Sequence, residues 1–237
     1  RYPRPPPPSP GPPIRYSMLT LCPAAALAAG CSRDAAPPAD TTTKDAAAVA
    51  AADQKTTAEV DEYSFAQPDK VRINDLALEL KVDFDNKQLG GSATYTLDWL
   101  DKNATQLVLD TRDLTIEKVV GERSDGKWED LKFALADEDK VLGSKLTIET
   151  PTRNPRIRVT YHTSPDASGL QWLTPEMTQG KKTPFMFSQS QQIHARSWVP
   201  LQDTPRVRFT YTAHVTAPSD AMVLMSADND PKAARDG

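Results

Sequence analysis

The side chains in this 237-residue chain that could do chemistry are few, and their spacing excludes several reactions at once. Three histidines occur, His162, His194 and His214; none is followed by glutamate and no two stand four positions apart. A helix of the H-E-x-x-H kind, with two imidazoles on one face holding a metal and the glutamate activating its water, is therefore not encoded. His162 and His214 lie on alternating segments with no partner cluster and read as solvent-facing or hydrogen-bonded histidines. Ser188 and Ser190 lack a Gly-x-Ser-x-Gly context, so a serine nucleophile is not supported. What remains is hydrogen bonding. The stretch LQWLTPEMTQGKKTPFMFSQSQQIHARSWVPLQDTP, Leu170 to Pro205, concentrates amides and hydroxyls among four prolines and fits neither strand nor helix. Within it Gln189, Ser190 and Gln191 offer carbonyl acceptors, amide donors and a hydroxyl. Arg196 and Asp203 read as a local ion pair that supports the loop, with Pro200 and Pro205 stiffening its ends.

The elements that must carry this stretch are strands. From Asp69 the apolar residues recur with period two. In NDLALELKVDFD, Leu76, Leu78, Leu80, Val82 and Phe84 alternate with Ala77, Glu79, Lys81 and Asp83, and SATYTLDWL places Ala93, Tyr95, Leu97 and Trp99 on one face. TQLVLD, LTIEKVV, WEDLKFAL, SKLTIET and RIRVTYHT follow, with SDGK at Ser124 to Lys127 as a hairpin turn. RVRFTYTAHVTAP and AMVLMSAD supply two more strands after the amide-rich stretch. The expectation is an all-β domain of about eight or nine antiparallel strands in a sandwich, its apolar faces turned inward. No segment has a helical period.

The N-terminal third does not join that core. Residues 1–17 are a proline-rich extension. Residues 18–31 place a short apolar run before LAAGC, too short to span a bilayer as a helix. They read as a bacterial lipoprotein-type signal with Cys31 as the lipidation site, an ordinary secretory leader or a merely Ala-rich disordered leader being the alternatives. Residues 32–64 are Ala, Thr, Asp and Lys without apolar periodicity, a disordered tether. The expected location is that of an exported protein, periplasmic or attached to the outer membrane through a lipid on Cys31. Both cysteines, Cys22 and Cys31, fall in this leader, so the globular part can build no disulfide or cysteine metal site. The sequon at Asn103 would be unused in a bacterial lipoprotein. A formal net charge of −4 with mixed signs and no block of like charges disfavours nucleic acid as a partner.

Several segments in order, LQWLTPEM, PFMFSQSQQIHARSWVPLQDTP, RFTYTAHVTAP and VLMSAD, resemble the N-terminal domain of the aminopeptidase N-type zinc metallopeptidases, in the branch that includes leukotriene hydrolase. The resemblance runs over about 65–237 and is strongest from Leu170 to Ala227. It implies a saddle-like β-sandwich whose loops close one wall of a cleft over a separate catalytic domain. At that wall Gln189, Ser190 and Gln191 would hold the free amino terminus of a peptide substrate. Many relatives carry glutamate where Gln191 stands; a carboxylate would hold an ammonium more strongly through charge assistance, so the amide implies weaker or broader recognition.

The same resemblance implies zinc in the full-length protein, bound in a catalytic domain, and no zinc on this fragment. The chain ends at KAARDG before any such motif, and the expectation is a piece of the N-terminal domain, inactive by itself, whose parent removes N-terminal residues from peptides. Its partners would be a peptide with a free N-terminus, the catalytic domain and the membrane. The alternative is a stand-alone β-sandwich lipoprotein acting as a binding or scaffolding module.

Overall fold

The computed structural model describes residues 60–229. Cys31, the extension 1–17, the segment 18–31 and residues 32–59 of the tether lie outside the described residues.

Eleven strands are described: β1 (Val71–Asp83), β2 (Gln88–Trp99), β3 (Gln106–Thr111), β4 (Leu114–Glu122), β5 (Trp128–Asp130), β6 (Phe133–Leu135), β7 (Ser144–Glu149), β8 (Arg156–Thr163), β9 (Leu170–Leu173), β10 (Phe185–Ser188) and β11 (Thr210–Thr216). A six-stranded sheet runs β11-β1-β2-β8-β4-β5, a three-stranded sheet β3-β7-β6, and β9 pairs with β10 alone. The β-sandwich is formed by the first two sheets. Leu76, Leu78, Tyr95, Leu97, Ile157, Val159 and Tyr161 of the larger share one buried cluster with Leu107, Leu109, Leu146 and Ile148 of the smaller. Each such side chain contributes roughly 1.5–3 kcal/mol on leaving water.

β1 shows how local sequence sets this core. Val71 and Ile73 are buried at odd positions and Leu76 to Val82 at even ones, because a bulge between Ile73 and Asp75 shifts the phase by one residue. Both halves therefore face the same side. The turn to β2 is closed by Asp83, whose carboxylate accepts the Asn86 backbone N–H at 2.9 Å and its side-chain amide at 2.8 Å. Ala93, Tyr95 and Leu97 of β2 are buried as the alternation requires.

The strand pattern differs from expectation in four places, one being the stretch Leu170 to Pro205, which reads as neither strand nor helix yet supplies β9 and β10 as an antiparallel pair. β11 pairs with β1 in parallel, Leu76 opposite Tyr211 and Leu80 opposite Val215, while the remaining pairings are antiparallel. WEDLKFAL is two strands: β5 closes the larger sheet, β6 joins the smaller one, and the backbone changes sheet where Leu131 N–H bonds Val119 O and Glu149 N–H bonds Lys132 O. AMVLMSAD forms no strand; Met222 and Leu224 stand exposed, and Asn229 bonds the backbone of Met225 and Ala227 instead of a neighbouring strand.

The hairpin β9–β10 carries the amide-rich stretch. Alternation turns Leu170, Trp172 and Met186 toward a second small cluster with Val82, Leu89 and Ala167. It turns Phe185 and Phe187 outward, their ring centroids 6.0 Å apart.

Candidate functional site

The stretch from Leu170 to Pro205 divides into an exposed half and a buried half. Residues 174–192 surround the hairpin and are largely exposed, whereas Arg196, Ser197, Val199, Leu201, Gln202 and Thr204 are buried. The buried half is glued to β3: Asp110 and Leu201 exchange both backbone hydrogen bonds, and Tyr95 Oη donates to Pro200 O. Gln202 completes the open start of β1, its carbonyl accepting from Ile73 N–H at 3.0 Å and its amide donating to Val71 O at 2.7 Å. One side chain thus stands in for a missing strand.

Arg196 sits in a 3-10 turn, Ala195–Ser197, with none of its surface exposed. A buried guanidinium persists only if its donors are used. Its Nε donates to Asp203 Oδ2 at 3.0 Å, Nη1 to Leu142 O at 2.9 Å, and Nη2 to Tyr63 O at 2.8 Å and Asp203 O at 3.1 Å. Arg196 and Asp203 are thus in direct contact. A second carboxylate, that of the fully buried Asp110, lies 3.8 Å from Nη1. It accepts from Ser64 Oγ at 2.6 Å, Phe65 N–H at 2.7 Å and Asp203 N–H at 2.9 Å. Burial raises the Asp110 carboxyl above its ordinary value of 3.8, and the Ser64 hydroxyl, Arg196 and the two backbone N–H groups offset part of that rise.

Leu142 O reaches Arg196 from a tight turn. Asp139 and Gly143 exchange backbone hydrogen bonds, and Asp139 Oδ1 accepts from Val141 and Leu142 N–H, each at 2.8 Å. These two N–H groups, Leu142 first, hold the Asp139 carboxyl below its ordinary value. Gly143 closes the turn with φ +77°, and a Cβ there would lie 2.2 Å from Thr111 O.

The expected binding residues precede Arg196. Gln189 is exposed; its backbone N–H donates to Gly169 O at 2.9 Å and its side-chain carbonyl accepts from Gln191 N–H at 3.2 Å. Ser190 is half-buried, and its Oγ accepts from Trp198 Nε1 at 3.1 Å. Gln191 is exposed, and among the described residues its side-chain amide has no hydrogen-bond partner. The Gln191–Gln192 peptide bond is cis. Ser190 O accepts from His194 N–H at 2.9 Å, which closes residues 190–194 into one turn with Gln191 inside it. Gln189 and Gln191 are thus adjacent, and the Gln191 amide is open to an added donor or acceptor.

The histidines lie apart. His162 Nδ1 is 2.8 Å from Glu117 and His214 Nδ1 is 3.0 Å from Glu79, both pairs at the surface. His194 belongs to the loop, with Nδ1 2.8 Å from Ser168 Oγ and 3.2 Å from Arg112 Nη1; Nη1 is also 3.3 Å from Ser168 Oγ. Arg112 Nη2 donates further to Val141 O. Gly169 packs under this cluster, where a Cβ would lie 2.5 Å from His194 O. Arg112 and Ser168 escape a sequence reading because they lie 82 and 26 residues from His194. The one sequence signal was the lone basic residue closing the buried run of β3. A Ser–His distance of 2.8 Å suits a nucleophile and its base, but Arg112 points a donor at the same nitrogen, and among the described residues no carboxylate bonds Nε2. The described residues contain no group of three or more His, Cys, Asp and Glu arranged to hold a metal ion, so they do not fit a zinc site.

Residues 61–236 match the family model described as the peptidase M1 N-terminal domain. The chain is 43% identical over 175 residues to leukotriene A-4 hydrolase of Xenopus laevis, covering 72% of this chain and 28% of that protein. It is 40% identical over 152 residues to leucine aminopeptidase 2 of Yarrowia lipolytica, covering 62% of this chain and 22% of that protein. The chain thus spans about a quarter of the length of the curated relatives it matches. The structure of native leukotriene A4 hydrolase from Saccharomyces cerevisiae superposes with a TM-score of 0.62 at 32% identity, over 69% of this chain and 26% of that one. A yeast enzyme of the same name in complex with bestatin gives 0.63 at 31% identity, over 69% and 26% of the two chains.

Proposed function

The chain belongs to the peptidase M1 N-terminal domain family, and from that premise we propose that it is the substrate-amine-recognising domain of a zinc-dependent aminopeptidase. The parent would remove N-terminal residues from peptides, with zinc held by residues outside this chain. Supporting this are relatives named as a leukotriene hydrolase and a leucine aminopeptidase, and a related yeast enzyme crystallised with bestatin. The observation that carries it is the Gln191 side chain, an exposed amide without a partner among the described residues, held in a turn closed by the His194 N–H bond to Ser190 O.

The chemistry is positioning. An α-ammonium presents three N–H donors and no acceptor. The Gln191 carbonyl can accept one of them, and the Gln189 carbonyl, bonded now to Gln191 N–H, has a second lone pair for another. Fixing the amine fixes the distance from it to the first peptide bond, so the domain acts as a ruler for the attacking water. In an enzyme carrying this domain, Gln191→Ala should raise KM for an aminoacyl anilide by roughly 10- to 100-fold, the value of a hydrogen bond to a charged group. Gln191→Glu should lower KM, because a carboxylate adds charge to the same contact. An unchanged kcat/KM in Gln191→Ala would remove the proposal.

A further inference from the structure

The geometry around His194 determines more than its place in the loop. Arg112 has donors only, so its 3.2 Å contact with His194 Nδ1 is a hydrogen bond when that nitrogen accepts. A proton on Nδ1 could still donate to Ser168 Oγ, but it would turn the 3.2 Å contact with Arg112 into two donors facing each other. With Nδ1 bare, the Ser168 hydroxyl, 2.8 Å from the same nitrogen, donates to it while accepting from Arg112 Nη1 at 3.3 Å. Only the assignment with Nδ1 bare and the proton on Nε2 makes hydrogen bonds of all three contacts.

The backbone of the same residue anchors the binding turn. From His194 the backbone N–H reaches Ser190 O, and His194 O accepts from Ser197 Oγ at 2.7 Å. Ser197 Oγ in turn accepts Gly169 N–H at 2.8 Å, and Gly169 O accepts Gln189 N–H. Residues 189–197 and 168–169 therefore form a closed circuit of hydrogen bonds. The link from its side chains to β3 is Arg112, whose own N–H bonds Arg196 O at 2.9 Å.

We propose that Arg112 and Ser168 lock His194 as its Nε2–H tautomer and so hold the Ser190–His194 turn, with Gln191 in it, in one orientation. All three are positioning residues. Their value to a substrate rests on the amine-binding reading, but the lock exists without it.

The test uses the full chain with 15N-labelled histidine. The wild type should show a pyridine-like Nδ1 and a pyrrole-like Nε2 for His194, assigned by its loss in His194→Gln. Arg112→Ala should let both tautomers populate and speed exchange of the His194 N–H about tenfold, as expected when one hydrogen bond is lost. Arg112→Lys, which keeps a donor-only group, should restore the single tautomer, and Ser168→Ala, which removes one of the two donors to Nδ1, should admit less of the second tautomer than Arg112→Ala does because the arginine remains. Unchanged tautomer and exchange in Arg112→Ala, or a lysine variant that behaves like the alanine one, would overturn the proposal. Neither readout involves substrate. A failed lock therefore leaves the amine-binding reading standing, and normal KM in Gln191→Ala leaves the lock standing.

Discussion

Asp110 is a carboxylate without surface exposure, and it faces an arginine that is itself fully buried beside a second aspartate. Three hydrogen-bond donors and Arg196 favour its charged form, and burial opposes them; burial wins, and its pKa rises above 3.8. The consequence for stability has a definite sign. With a raised value the folded state keeps a proton that the unfolded chain has already released, so it binds more protons throughout that window. Stability from this group is complete at low pH and is lost as pH rises through the raised pKa. Asp110→Asn cannot titrate. The stability of the wild type relative to Asp110→Asn should accordingly decline with rising pH above 3.8 and then level off, measured by urea midpoints across a pH series. A difference that grew with pH instead would mean that Arg196 and the three donors outweigh burial.

At the scale of elements, the tight turn Asp139–Gly143 controls two arginines at once. Leu142 O accepts from Arg196 and Val141 O from Arg112, so the turn ties the buried ion cluster to the His194 cluster. Its geometry depends on Gly143, at φ +77° and with no room for a Cβ. Gly143→Ala should cost about 1–3 kcal/mol for the backbone conformation alone, and more because Thr111 O must move. The expected result is a lower thermal midpoint together with faster exchange at Arg112 and His194. A variant with wild-type stability would show that the turn adapts without disturbing either arginine.

Elements were also where the sequence was most and least legible. The strand reading located β1, β2, β3, β4, β7, β8 and β11, and in β1, β2 and β8 it rests on alternation, because a strand with one buried face must repeat with period two, whereas Leu107 to Thr111 of β3 are buried without a break. It placed Leu76 to Val82 on the core side correctly, and the bulge near Asn74 is visible as the phase slip between Ile73 and Leu76. Alternation specifies a face and says nothing of the neighbour, so the parallel pairing of β11 with β1 could not be read. AMVLMSAD misled for a related reason, since an apolar run matches a strand without specifying any pairing, and here Asn229 bonds its backbone. In the binding turn, the amides were legible as residue types. The circuit through Arg112 and Ser168 was not, because its members come from separate loops that only the fold brings together.

For the whole domain, the question is where cooperative structure begins, and the buried ion cluster answers it. Tyr63 O accepts from Arg196, while Ser64 Oγ and Phe65 N–H donate to Asp110. Three consecutive residues ahead of β1 therefore satisfy groups in the centre of the domain, although nothing in their apolar pattern marks them as structural. Hydrogen bonds to charged groups contribute about 1.5–3 kcal/mol each, and an unpaired buried charge costs more than a lost bond. Removing Tyr63, Ser64 and Phe65 together would admit water to Asp110, which softens the loss but does not cancel it. A chain beginning at residue 66 should thus unfold at least about 3 kcal/mol more easily than one beginning at residue 60, by urea denaturation at fixed pH. Ser64→Ala, which removes one donor and leaves the backbone in place, should fall between them. Equal midpoints for the two starting points would mean that Asp110 and Arg196 are satisfied without this segment, and the cluster would then be an internal brace of the loop 195–204 alone.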